Sequence, residues 1–421
     1  MTAQLHTGHQ GPADTRQLGP AFNRLWCSSG LSNLADGIVK VALPLVAIRY
    51  TQSPTVIAGL TFALTLPWLV CALPAGALAD RLDRRRSMLA ANLVRTGLLG
   101  GSAALLAAGL GSIWLLYLIA VCLGIAETIY DTSAQSILPQ LVERDQLSRA
   151  NSRLFAAELT ANQFVGPPLG GVLVAAGAAL SIAVPGALWM VAIGALLMVR
   201  GSYRFERTTA STMRADIAEG LRYLWRNRVL RTLAMMTGLF NLATNATFGV
   251  LVLYAVGPAS AMRLSDGGYG LLFATLAVGS LLGSFLAGPV ERMLGRAGSL
   301  ALSYGGGAVL VGVLAVTANP FLIGAGFVIG SIGLVIGNVI AVSLRQRIAP
   351  GRLLGRVNSG YRLVAWGTMP LGAVLGGLLA QLVGFRVLFA LMSVLILSLL
   401  GFMTVLTNRN LDAAESAGRP A

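Results

Sequence analysis

The sequence predicts an all-α polytopic membrane protein, with about twelve transmembrane helices in two parallel six-helix pseudo-repeats around a central cavity. Three observations carry that prediction. The apolar residues fall in runs long enough to cross a bilayer. Positive charge is confined almost entirely to alternate loops. Motifs of the first half return in the second. Of the 421 residues, 55% are hydrophobic and 11% are charged, whereas a soluble chain carries about a quarter charged residues. The alternating strands of about ten residues that mark a β-barrel are not visible.

The elements follow in order. Residues 1–20 are polar, with His6, His9, Asp14 and Arg16 and no apolar stretch of a signal peptide. A cytoplasmic N-terminal tail is expected there. A first bundle is placed at 21–201, with spans near 22–48, 54–79, 88–109, 112–138, 150–176 and 178–200. A cytoplasmic linker at 202–229 is Arg-rich and spaces Ile217, Leu221, Leu224 and Trp225 helically. It reads as an amphipathic helix on the inner leaflet, with Arg222, Arg226 and Arg228 toward phosphates, or as a solvated linker with a turn or two of helix. A second bundle is placed at 230–408, with spans near 230–256, 266–290, 298–317, 320–344, 357–382 and 385–407. Residues 409–421 form a cytoplasmic C-terminal tail.

The net charge of +15 is decided by position. Of the 31 basic residues, only Arg49, Arg263 and Arg386 fall on the far side, and only Lys40 and Arg95 lie within spans. The rest lie in the tails, at inner span ends, or in loops after even-numbered spans. This positive-inside pattern puts both termini in the cytoplasm of a plasma membrane with an anionic inner leaflet, and it removes nucleic acid as a partner. Cys27, Cys71 and Cys122 are an odd set within apolar spans and read as inert thiols, with no disulfide or metal spacing.

A crowded polar run separates spans 2 and 3: Gly76, Asp80, Arg81 and Asp83, then Arg84-Arg85-Arg86. It has a worn copy after span 8, from Gly288 through Glu291 and Arg292 to Arg296. Leu147-Ser-Arg149-Ala-Asn151-Ser152 returns as Leu354-Gly-Arg356-Val-Asn358-Ser359, an offset of 207. Gly170-Gly171 returns as Gly376-Gly377, an offset of 206. An offset near half the chain means two halves of the same orientation.

On these motifs the chain resembles the major facilitator superfamily over residues 20–408. The polar run is similar to that superfamily's loop between helices 2 and 3, with Asp83 where many members carry Gly. The Asp-Arg-x-Asp-Arg-Arg form, the Leu-x-Arg-Ala-Asn-Ser segment and Gly166-Pro-Pro-Leu-Gly-Gly171 together resemble the branch of the enterobactin exporter and the macrolide efflux pumps. The resemblance implies a latch: Asp80 caps the start of span 11 near Ser359 and Gly360, Arg84 pairs with Asp131, and Gly76 lets helices approach. A tight turn held by positive-inside charge is the alternative. It also implies an antiporter seam at Gly166, Pro167, Gly170 and Gly171, with Asn162 where the motif's first Gly usually stands. The alternative is an ordinary kinked, Gly-rich interface.

Charges inside the membrane are the candidates for coupling. Asp36 and Lys40 sit one turn apart on span 1, spaced to pair on one face, and Lys40 is the only lysine. Glu127 and Asp131 repeat the spacing on span 4 with like charges, and two nearby carboxylates raise one another's proton affinity. Arg95 and Glu158 complete the set. Asp36 and Glu127 are expected to bind a proton or cation; alternatively Asp36–Lys40 and Glu127–Arg95 are static buried pairs.

For the substrate, Asn33, Asn162, Gln163, Asn241, Asn245 and Asn338 are amides on apolar helices that face a cavity or bond between helices. Trp68, Phe164, Phe240, Phe248 and Trp366 offer an aromatic wall or plain packing. No phosphate-binding loop, hydrolase elbow or His/Cys cluster occurs. The expectation is a monomeric secondary transporter, not an enzyme. It needs no cofactor and exports a small amphipathic molecule such as a siderophore or antibiotic against inward proton flow by rocker-switch alternating access. The alternatives are a nutrient importer or uniporter on the same fold, and a non-transporting membrane sensor.

Overall fold

The computed structural model describes residues 18–71, 82–143, 146–201, 203, 213–350 and 353–418. Helix ends are set by local chemistry. Pro20, Pro54 and Pro320 open α1 (Pro20–Ala47), α2 (Pro54–Val70) and α12 (Pro320–Ile348), where a missing N–H costs nothing. The Asp83 carboxylate accepts the Arg86 amide at 3.1 Å and caps α3 (Arg84–Ala107). Ser112, Asn227 and Ser265 do the same for α4 (Ile113–Ile137), α9 (Arg228–Phe248) and α11 (Asp266–Val316). The remaining first-half helices are α5 (Leu147–Glu158), α6 (Gly166–Ala176) and α7 (Ala178–Leu197). Helix α8 (Met213–Arg226) precedes the second half, which adds the single turn α10 (Leu251–Ala255), α13 (Leu354–Val383), α14 (Phe385–Ser398) and α15 (Asn408–Gly418). Among the described residues, eight helices are long and apolar enough to cross a membrane, and Pro54–Val70 is a shorter apolar one.

Four departures from the predicted spans have physical causes. Spans 8 and 9 run together as α11, broken only at Gly295, whose φ of 68° turns the chain without a loop. Span 5 is split: a π-helical stretch, Leu159–Val165, joins α5 to α6. Pro167 and Pro168 donate no hydrogen bond to the turn before them, which frees that turn to widen. Span 7 breaks after Phe248 and resumes as α10. Part of the C-terminal tail is a docked helix, α15. Arg296 binds Asp412 and Glu415, Asn408 accepts the Ala297 amide at 3.0 Å, and Leu411 is fully buried.

The two halves use the same neighbours. In the first, α1 packs on α5–α6 and α7, α2 on α4, and α3 on α4 and α7. In the second, α9 packs on α13 and α14, and α11 on α12 and α14. The halves meet along α2–α13 and α6–α11. The α2–α13 contact runs along α2 from Leu69 and Gly367 to Thr55 and Gly377, and with the α6–α11 contact it takes in the face away from the arginine-rich loops. There Arg49 pairs with Asp266 at 3.4 Å and Thr55 bonds Gln381 at 2.8 Å. A Cβ on Gly171 would lie 2.4 Å from the Asp266 carbonyl oxygen, so only glycine permits this approach. No such packing joins α4 or α5 to α12 or α13 among the described residues. Among the described residues the halves are therefore packed together at one face and apart, between α4–α5 and α12–α13, at the arginine-rich one.

Helix α8 does not simply lie on a lipid surface. Leu224 is fully buried, Gly220 sits against the Arg356 backbone, Tyr223 bonds the Ile348 carbonyl at 3.1 Å, and Glu219 pairs with Arg356. Arg222, Arg226 and Arg228 remain exposed.

Candidate functional site

The site begins on α1. Asp36 does not pair with Lys40. Its carboxylate lies 3.7 Å from Arg95 on α3, which is 1% exposed. The Arg95 guanidinium also donates to the Ser32 hydroxyl at 3.3 Å, and that oxygen accepts the Trp189 indole at 3.1 Å. Arg95 lies against the rings of Tyr130 and Trp189, 5.4 and 5.1 Å from their centres. Lys40 turns the other way and donates to the Asn162 side-chain oxygen at 3.0 Å. The alternative of static Asp36–Lys40 and Glu127–Arg95 pairs does not form: among the described residues Asp36 meets Arg95 and Lys40 meets Asn162. The reason is tertiary: α3 and the π turn bring better-directed partners than the helix itself offers.

Lys40 is exposed although it lies well inside α1. A lysine at that depth cannot face lipid cheaply, so its amine faces the space between the halves. Glu127 and Asp131 are partly exposed in the same half, and Glu158, Gln163 and Asn338 are exposed. Asn162 and Gln163 both belong to the π turn, a distortion frequent at functional positions.

Other amides serve the scaffold. Asn241 donates to the Ala365 carbonyl at 2.7 Å and ties α9 to α13. Asn245 donates to Asn241 and Asn33 to Ser29, each at 2.9 Å along its own helix. Away from water an amide takes the nearest carbonyl. Phe240 packs on Tyr304, and Phe248 between Phe273 and Phe327, inside the second half. Trp68 and Trp366 meet edge to face across the two halves, 5.2 Å between ring centres.

The seam residues face two ways. Gly166 and Gly170 lie against the backbone of Gly37 and Ile38 on α1, whereas Pro167 and Gly171 lie against Gly270 and Asp266 on α11. One side binds α6 into its own half; the other closes the cavity. Gly76, Asp80 and Arg81 of the latch lie outside the described residues, as do residues 1–17 of the tail. Arg84 is buried at the start of α3 and Asp131 is partly exposed on α4. Asp83 has a role the sequence did not reveal: its second oxygen accepts the Tyr203 amide at 2.9 Å, which ties the start of α3 to the segment after α7. Arg24 and Arg85 donate to the last carbonyls of α7, complementing its dipole. Among the described residues no group of His, Cys, Asp and Glu is set to hold a metal.

Comparison with known proteins agrees with this architecture. The sequence profile of the transmembrane secretion effector family matches residues 16–420. The multidrug efflux pump Tap of Mycolicibacterium fortuitum is 28% identical over 91% of this chain and 95% of its own. The enterobactin exporter EntS of Salmonella typhi is 26% identical over 80% of each chain. Among solved structures, a bacterial homologue of the iron transporter ferroportin in an inward-facing state superposes with a TM-score of 0.68 at 20% identity, covering 95% of this chain and 100% of that one. A bacterial homologue of the lysosomal transporter Spinster, inward-facing and unoccupied, gives 0.71 at 13% identity, covering 95% and 98%. With its profile matched nearly end to end and its helices paired as described, this chain is a membrane transporter, not an enzyme, of the transmembrane secretion effector family in the major facilitator superfamily.

Proposed function

We propose that this chain is a proton-coupled antiporter that exports small amphipathic molecules across a bacterial cytoplasmic membrane, with both termini in the cytoplasm. The arginine-rich face is then cytoplasmic, and the arrangement described is inward-open. The names of the relatives, a multidrug efflux pump and an enterobactin exporter, support the outward direction. One observation carries the coupling. Among the described residues Asp36 has one ion partner, the buried Arg95, and it shares α1 with the exposed Lys40, which bonds Asn162 instead. Such a carboxylate exchanges its proton when the cavity changes sides, because hydration and partner distance change together.

The cycle follows. From the cytoplasm, substrate enters against the first-half acids, which release protons inward. The halves rock: the arginine-rich face closes, and the α2–α13 and α6–α11 contacts part. Protons from outside load Asp36 and Glu127, substrate leaves, and the halves return. Gly76, Asp80, Arg81, Arg84 and Asp131 would latch the outward-open state. The test is proton-gradient-driven accumulation of ethidium in everted vesicles. Asp36→Asn and Glu127→Gln should each lower it at least about tenfold, the loss of about 1.4 kcal/mol of coupling. Full accumulation in both variants would overturn the assignment.

A further inference from the structure

Two guanidinium groups of the second half stand outside every ion pair described above. Arg345, near the arginine-rich end of α12, lies 3.8 Å over the centre of the Tyr361 ring. Arg362, on α13, lies 4.1 Å over Trp366 and 5.8 Å from Trp68 of the first half. Both are partly buried. Among the described residues no carboxylate comes within ion-pair distance of either. The Arg345 Nε is buried without a hydrogen-bond partner.

Their position points into the cavity. Arg362 lies over Trp366 of its own half and beside Trp68 of the first half, so it stands where the two halves meet and faces the space between them, not the lipid. Positive-inside topology alone does not account for the pair. Arg24 and Arg85 satisfy that rule by capping carbonyls of α7, whereas Arg345 and Arg362 sit partly desolvated beside a like charge, a costly arrangement that an anion relieves. Stacking occupies the guanidinium faces, Arg345 also engages the Tyr361 hydroxyl, and the N–H groups left over match two oxygens of a carboxylate or phosphate. The Tyr361 hydroxyl and Thr237 hydroxyl lie 2.6 Å apart, which holds that ring in place. The first half carries Asp36, Glu127, Asp131 and Glu158 against Arg95 and Lys40, so it is net acidic, whereas these two arginines make the facing half basic.

We propose that Arg345 and Arg362, with Tyr361, Trp366 and Trp68 beside them, form a binding site for the anionic oxygens of a flat aromatic acid, the acidic end of the transported molecule. This deepens the exporter reading, yet its test measures binding and not transport. The phosphate of an anionic lipid headgroup offers similar oxygens, and one arm of the test separates the two.

The full chain in phosphatidylcholine nanodiscs is titrated calorimetrically with 2-naphthoate and with its neutral amide, 2-naphthamide. The acid should bind at least about tenfold more tightly, and R345Q and R362Q should each remove most of that preference while leaving amide affinity unchanged. Equal affinity of the two probes for the unaltered protein overturns the proposal without reliance on any variant, and so does a preference that survives both substitutions. Repeating the titration with phosphatidylglycerol in the disc supplies the lipid arm. Undiminished acid binding supports a substrate site; loss of the preference assigns the arginines to headgroups and overturns it. Acid preference without proton-driven transport would sink the antiporter reading alone, and antiport without acid preference would sink this site alone.

Discussion

Three residues illustrate how single side chains set this protein's behaviour. Asp83 serves two backbone amides at once, Arg86 and Tyr203, while 6% exposed. Asp83→Ala removes a helix cap and a buried charge-assisted bond and should destabilise by about 2–3 kcal/mol, read as a lower unfolding temperature in detergent; Asp83→Asn should recover part of it. Among the described residues Arg95 is the only ion partner of Asp36. Arg95→Met leaves Asp36, 18% exposed, without that ion partner and should cost about 1–3 kcal/mol, and the double variant with Asp36→Asn should recover much of the loss in the same melt. Gly171 is governed by sterics. A side chain there meets the Asp266 carbonyl, so Gly171→Val should oppose closure of that face by about 1–3 kcal/mol. Labelling of cysteines placed along α6 should then rise from that side. Asp36 and Arg95 were visible in the sequence as charges inside spans. Their pairing was not, because i to i+4 spacing pointed Asp36 at Lys40, and only the approach of α3 redirects it.

At the level of elements, the informative helices are the irregular ones. The run Gly166-Pro-Pro-Leu-Gly-Gly announced a bend, but the bend lies one turn earlier, in the π stretch Leu159–Val165. That shift turns Asn162 toward Lys40. Helix α15 lies almost wholly within the segment expected as a cytoplasmic C-terminal tail, 409–421. Its partners, Arg296 and Arg347, lie far away in sequence. Arg296 engages two carboxylates while itself mostly buried, so Arg296→Ala should cost about 1–2 kcal/mol. The difference from the unaltered protein should shrink at molar salt, where screening reaches within about 3 Å. Equal melting of the two proteins at low salt would show that the clasp contributes nothing. Helix α8 follows the same logic: its apolar spacing was legible, but its choice of protein over lipid depends on the base of α13.

For the molecule as a whole, the question is which face is shut. The α2–α13 and α6–α11 contacts must separate in any alternating cycle. Linking them should stop transport. Thr55 and Gln381 bond across the halves at 2.8 Å. With Cys27, Cys71 and Cys122 replaced, Thr55→Cys and Gln381→Cys joined by a short bifunctional thiol reagent should abolish transport, and a reducible linker should restore it on reduction. Transport that continues through a complete cross-link would mean these helices do not part. The sequence by itself determined the class of fold: apolar runs set by bilayer thickness, arginines confined to alternate loops, and two half-chain repeats are local or additive properties that need no contact to be read. It also exposed the carboxylates, because a charge in an apolar run stands out wherever it folds. Only the tertiary structure decided which charges meet, which amides bond a neighbouring helix instead of lining the cavity, and which face is closed. Those depend on distances between segments more than a hundred residues apart, as Arg49–Asp266 and Thr55–Gln381 are, and on packing that a linear pattern does not encode.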